Sequence, residues 1–210
     1  MSVLQMVTAG IAIIGAAIFV VGIAAILVAT QCRPYRAELA PVKGSPVKGV
    51  VYAFTLGMAP WAKDSARRHW VAYLRGIIFH LSIFVAVAFL IASPWLEIMP
   101  APLRISLAAL FAVGAVLVVA GFGMRLNDHT MRLLSIPDDY FALALTTLFL
   151  ASAAMASAQV DLLPVFWVIA GITMAYAPLG KLRHFLYFFY ERVFFGLVFG
   201  RRAVLEWRHE

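Results

Sequence analysis

Charge is scarce in this sequence. Only 13% of its 210 residues are Asp, Glu, Lys or Arg, and 64% are hydrophobic. A water-soluble domain is usually about 25% charged and 45–50% apolar, so a soluble globular class is excluded and the chain reads as an integral membrane protein. Cysteine is almost absent. Cys32 stands alone, so it makes no internal disulfide and by itself holds neither an iron–sulfur cluster nor a structural zinc; any such centre has to come from another chain. No charge precedes Arg33. The first apolar stretch thus lacks the basic flank of a cleaved signal peptide and is expected to be a retained helix, with no clear capping signal at its start.

What is present is apolar sequence in membrane-length runs. About 20 apolar residues span a bilayer as a helix, and five windows qualify, at roughly 7–30, 71–93, 104–124, 140–158 and 164–182. The expected fold class is therefore all-α integral membrane, a five-transmembrane-helix bundle, with residues 1–182 as the membrane domain and 183–210 as an aromatic and basic cytoplasmic or interfacial tail.

The basic residues orient this arrangement. Arg33, Arg36, Lys43, Lys48, Lys63, Arg67 and Arg68 lie between the first two windows, Arg125 and Arg132 follow the third, and Lys181, Arg183, Arg192, Arg201, Arg202 and Arg208 follow the fifth. The opposite side has only Arg104, near Glu97 and Asp161. Positive residues stay cytoplasmic, so the N-terminus is expected outside and the C-terminus in the cytoplasm, in the cell inner (cytoplasmic) membrane. The net charge of +7 is then a topology signal, not one for nucleic acid. It also gives the inner face an attraction for anionic membrane lipid or an acidic partner.

The long polar segment 31–70 contains Pro34, Pro41, Pro46 and Pro60 and is expected to be a loop with one short interfacial helix near 50–58. Pro137, Asp138 and Asp139 suit the start of the fourth helix, where acids meet the positive end of the helix dipole. Residues 185–200 include eight aromatics, which fit either an interfacial helix with rings at headgroup level or a docking surface for a cytoplasmic subunit.

Five histidines remain to be weighed. His129 and His209 fall in polar surroundings and are expected to be solvated; His69 stands at the mouth of the second helix. His80 and His184 differ. At a rise of about 1.5 Å per residue, His80 lies roughly 15 Å along its helix from Trp70, inside the hydrocarbon, where an ionisable group is a functional candidate by default. His184 falls at the cytoplasmic end of the fifth window, so two oppositely running helices bring an imidazole to one leaflet. Each is preceded by glycine one turn earlier, as Gly76-Ile-Ile-Phe-His80 and Gly180-Lys-Leu-Arg-His184. Positions i and i−4 share a helix face, which leaves a notch beside each ring. A flat macrocycle between two axial imidazoles needs that clearance. The pattern points to haem iron with His80 and His184 as metal ligands, both axial positions filled, suited to electron transfer. Arg75, Lys181 and Arg183 are candidates to meet the propionates. The plain alternatives are a helix-to-helix hydrogen bond for the histidines, a common small-residue contact for the glycines, and snorkelling for Arg75.

The motifs FHLSIF, Pro-Asp-Asp-Tyr and GKLRHF resemble the cytochrome b (gamma) subunit of respiratory nitrate reductase and its superfamily. The stretch GMAPWAKDSARRHW looks closer to the branch paired with heterodisulfide-reductase-like iron–sulfur proteins. The resemblance spans essentially the whole chain. It implies a membrane subunit that moves electrons between menaquinone or ubiquinone and a cytoplasmic iron–sulfur partner. Two-haem members of that superfamily have paired histidines ten apart on the second helix and eighteen apart on the last. Here those positions are Leu90 and Phe166, so the resemblance implies one haem b, nearest the cytoplasm. It also weakens transfer of the family's quinol site, which lies near the outer haem. Tyr73, His69 and Asp139 are polar groups at about the right depth for a quinone, with a structural role as the favoured reading of each. Two rival classes are a redox-inactive membrane anchor or assembly subunit, and a small transporter. No span carries a second charged residue suited to a relay, and no matched pair of broken helices is evident, which disfavours the transporter.

Overall fold

A computed structural model describes residues 2–34, 40–62 and 64–204. Among them the chain is helical throughout, with no strand. The helices are α1 (Val3–Gln31), α2 (Pro46–Phe54), α3 (Asp64–Arg68), α4 (Trp70–Ala92), α5 (Ala101–Asn127), α6 (His129–Leu133), α7 (Pro137–Ala158), α8 (Leu163–Tyr176) and α9 (His184–Arg201). Arg36, Lys63, Arg208 and His209 lie outside the described residues.

Among the described residues four helices are long and apolar enough to cross a membrane: α1, α4 with its short continuation to Ile98, α5 and α7. By length and composition a fifth is counted when α8, with its lead-in from Val160, and the helix after it are taken as one interrupted span. The expected continuous window 164–182 is corrected in this respect. α8 stops at Tyr176 after 14 residues, about 21 Å at 1.5 Å per residue. Pro178 has no N–H to extend the ladder, and the N–H groups of Leu179 and Gly180 instead turn back to the Tyr176 carbonyl at 2.9 and 3.0 Å.

Other boundaries follow from local chemistry. α1 begins at Val3 because Ser2 and Gln5 form a reciprocal cap: the Ser2 N–H donates to Gln5 Oε1 (2.8 Å) and the Gln5 N–H to Ser2 Oγ (3.2 Å). Such an S-x-x-Q box satisfies two donors that a helix start would otherwise leave orphaned. The short helix expected near 50–58 is found earlier, at Pro46–Phe54. Ser45 caps it by accepting the Lys48 N–H (3.4 Å), and Pro46 occupies the first turn, where a missing N–H costs nothing. α7 opens at Pro137, and its third residue, Asp139, accepts the Ile136 N–H at 2.9 Å.

The chain forms two compact units. The first comprises Met1–Ile26 and Arg75–Leu182, the second Leu27–Leu74 and Arg183–Glu210; α1 and α4 run through the divisions.

In the first unit α7 packs along α5 and α8. The centre is aromatic. Phe166 of α8 is fully buried between Phe89 of α4 (ring centroids 5.3 Å) and Phe149 of α7 (5.8 Å, stacked), and Phe89 also meets Phe111 of α5 at 5.4 Å. Lipid tails are as apolar as these side chains, so shape fit and small residues hold such helices together more than water exclusion does. Gly15 of α1 and Gly171 of α8 show this fit. A methyl group on Gly171 would lie 2.6 Å from the Ile11 carbonyl oxygen, and one on Gly15 would overlap Gly171 itself. Polar groups inside are paired: Trp167 Nε1 donates to Ser93 Oγ (2.8 Å), and Arg104 reaches the last carbonyls of α7, Ser157 (3.1 Å) and Ala158 (3.1 Å). A cation at a helix C-terminus meets the negative end of its dipole.

In the second unit α2 packs along α9. Gly49 faces Gly196 and Gly200, and an added methyl on any of the three would overlap the opposing backbone. The Lys43 and Gly44 N–H groups donate to the Arg201 carbonyl at 3.0 and 2.9 Å, and Phe54 stacks on Phe189 at 6.2 Å.

Candidate functional site

His80 lies eleven positions into α4 and is exposed. Its Nδ1 is 2.7 Å from the Gly76 carbonyl oxygen. A carbonyl only accepts, so Nδ1 carries the proton and Nε2 carries the lone pair. Hydrogen bonding at one ring nitrogen sets which nitrogen a metal can use, and here that is Nε2. The edge of Phe79 rests against the imidazole, centroids 4.9 Å apart. Beside it, the missing side chain of Gly76 faces open space, with nothing within 4 Å of an added methyl.

Arg75 is half-buried and lies against α5. Its guanidinium donates to the Met124 sulfur at 2.7 Å, a weak acceptor. The ion pairs among the described residues involve Asp64 and Asp139, and neither engages Arg75. This cation therefore retains its capacity for an anion.

Gly180 is different. Its flank is occupied by the ring of Tyr176, against which any methyl would collide. The clearance expected there for a macrocycle is filled by a residue of the same break. Tyr176 in turn donates its hydroxyl to Asp138, which also accepts the Lys181 N–H at 2.9 Å. Asp139 takes the Lys181 ammonium at 2.8 Å and lies 3.9 Å from Arg125, which donates to Ser135 Oγ at 2.7 Å. The two acids at the start of α7 thus hold the non-helical segment after α8. This network was hidden in the sequence: Pro-Asp-Asp marks a helix start, but nothing in its spacing announces a phenol and an ammonium 38 and 42 residues away.

Asp139, one of the three polar groups considered for a quinone, makes contacts with Lys181, Arg125 and the Ile136 N–H. Tyr73 is similarly engaged, donating to the Met58 carbonyl within the second unit. His69 is exposed. His184 opens α9, with Arg183 just before it as the cap residue, and both are exposed. His80, Gly76 and Arg75 belong to the first unit, His184 and Arg183 to the second. His129 opens the five-residue α6 and is exposed. Cys32 is exposed.

Leu90 and Phe166, the positions at which the resemblance leads to an expectation of missing second-haem ligands, are packing residues: Phe166 is in the ring cluster, and Leu90 is partly buried against the same core. Among the described residues no three His, Cys, Asp or Glu side chains converge as a metal cage. Compared with protein families, curated proteins and solved structures, the chain finds no match.

Proposed function

We propose that the chain is a membrane cytochrome b subunit of a respiratory oxidoreductase complex. In this reading it lies in the cell inner membrane with its N-terminus outside and its C-terminus cytoplasmic. It carries electrons between menaquinone or ubiquinone and a heterodisulfide-reductase-like iron–sulfur partner, through one haem b ligated by His80 and His184. The observation that carries the reading is His80, an imidazole on a membrane-length helix whose Nδ1 is engaged by the Gly76 carbonyl of its own backbone.

The residues fit the group in part. Gly76 leaves space beside His80, and Arg75 offers a cation not neutralised by a carboxylate. Gly180 lends no such space, so the requirement for clearance falls on the Gly76 side. Held there by His80 and His184, a haem would supply a one-electron redox couple. The chain's own part is to hold the ring nitrogen, keep the site in a low-dielectric medium and present Arg75 and Arg183 to the propionates. The burial of Phe166 among Phe89 and Phe149 supports one haem over two, because the residue at which the resemblance would look for a second ligand is a packed ring.

The deciding experiment is haem content per chain of the purified complex, with spectra before and after dithionite. One haem is expected, lost in His80→Ala and in His184→Ala while membrane insertion persists, and unchanged in His69→Ala. Absence of haem absorbance in the wild-type complex would remove this reading in favour of a redox-inactive membrane anchor or assembly subunit.

A further inference from the structure

The charge of this chain is unevenly divided. Among the described residues the first unit carries five Lys and Arg against five Asp and Glu, and is neutral overall. The second carries nine against two, Asp64 and Glu191. The same unit exposes much apolar surface. Val47 and Val51, one turn apart on α2, are 71% and 58% exposed, and Tyr190 and Leu197 on α9 are 40% and 44% exposed. These largely apolar side chains are exposed in a unit whose α2 and α9 already meet through Gly49, Gly196 and Gly200.

We infer that the α2–α9 pair is an anionic-phospholipid docking element, lying in the headgroup region of the bilayer with its valines and aromatic rings in the acyl boundary and its cations on phosphate. Two observations favour lipid over an acidic protein. An acidic partner would neutralise the lysines and arginines yet leave Val47 and Val51 requiring a separate cover, whereas a bilayer surface meets both needs within a few ångströms of depth. The glycine-to-glycine crossing is also the contact by which helices associate in lipid, where burying large side chains gains little. Lysine and arginine reach phosphate from such a depth by extending their aliphatic stems. Arg192 over the Phe188 ring (5.4 Å) illustrates a cation kept beside an aromatic face. The inference is independent of the haem.

The test uses the full chain in nanodiscs of phosphatidylcholine, alone or with phosphatidylglycerol. Spin labels are placed through Val51→Cys and Leu197→Cys on a Cys32→Ser background. Both labels are expected to collide more with oxygen than with a water-soluble nickel chelate. Native mass spectrometry of wild-type chain extracted from an equimolar mixture is expected to show phosphatidylglycerol retained over phosphatidylcholine. The triple variant Lys43→Gln, Lys48→Gln, Arg192→Gln should lose about fivefold of that preference per cation removed. The wild-type measurement needs no substitution, so a folding defect in a variant does not shield the inference. Equal retention of the two lipids by the wild type overturns it, and so do labels open to the nickel chelate, the outcome expected if an acidic protein is the occupant.

Discussion

The imidazole of His80 is tied through Nδ1 to the carbonyl of Gly76, one turn back on α4, at 2.7 Å. The bond uses the backbone of Gly76 and not its side-chain position, which stays open. Gly76→Ala therefore separates two roles. In the bare fold a methyl meets nothing, and replacing a mid-helix glycine should add about 1 kcal/mol of helix stability. If a macrocycle lies against that flank, the same methyl obstructs it. Thermal unfolding in detergent should rise slightly while haem per chain falls; unchanged haem content would detach Gly76 from the site.

Tyr176 and Asp138 join the C-terminal end of α8 to the start of α7. Tyr176→Phe keeps the ring over Gly180 and removes only the donor to a carboxylate, a loss of about 2 kcal/mol. Faster hydrogen exchange of the amides of Leu179, Gly180 and Lys181 should accompany it. Unaltered exchange there would mean that the proline break holds itself.

The ring cluster predicts the outcome of introducing histidines at the two positions where the resemblance would look for them. Leu90→His with Phe166→His should not yield a second haem, because Phe166 occupies a fully packed site. Phe166→Ala alone should cost about 4 kcal/mol of stability through the cavity left behind. A haem-to-chain ratio of two in the double variant would show that this core reshapes around a cofactor.

At the α2–α9 crossing, Gly196→Leu must push apart backbones already in contact. Overpacking of this kind costs about 1–3 kcal/mol, here confined to the second unit. Limited trypsin digestion should cut at Lys48 and Arg192 in the variant and spare them in the wild type, with spectra of any bound haem as a separate readout.

The long helices could be read from sequence because twenty apolar residues in a row leave little choice: α4, α5 and α7 start and end within a few residues of the windows that predict them. Missed features depended on single side chains. Ser2 and Gln5 extend α1 by a turn, a signal present as S-x-x-Q but easily overlooked in so apolar a stretch. Pro178 splits the last window, which a hydropathy average passes over because proline, leucine and glycine on either side are not polar. Arg104, counted as a stray charge on the outer side, caps α7. The histidines were visible as residues out of place, whereas the tautomer of His80 and the filled flank of Gly180 depend on positions of backbone and ring that no spacing rule encodes.

The helices of this chain are unequal in reach. With 29 residues, α1 is roughly 43 Å long, about twice the roughly 21 Å of α8, while a typical hydrocarbon layer is about 30 Å. A bilayer would accommodate α1 by tilt or local thickening, at a cost of fractions of a kcal/mol per ångström of mismatch, whereas α8 by itself falls short of crossing. Membrane thickness should accordingly act on this chain chiefly through α1, which short-tailed lipids would force to tilt further.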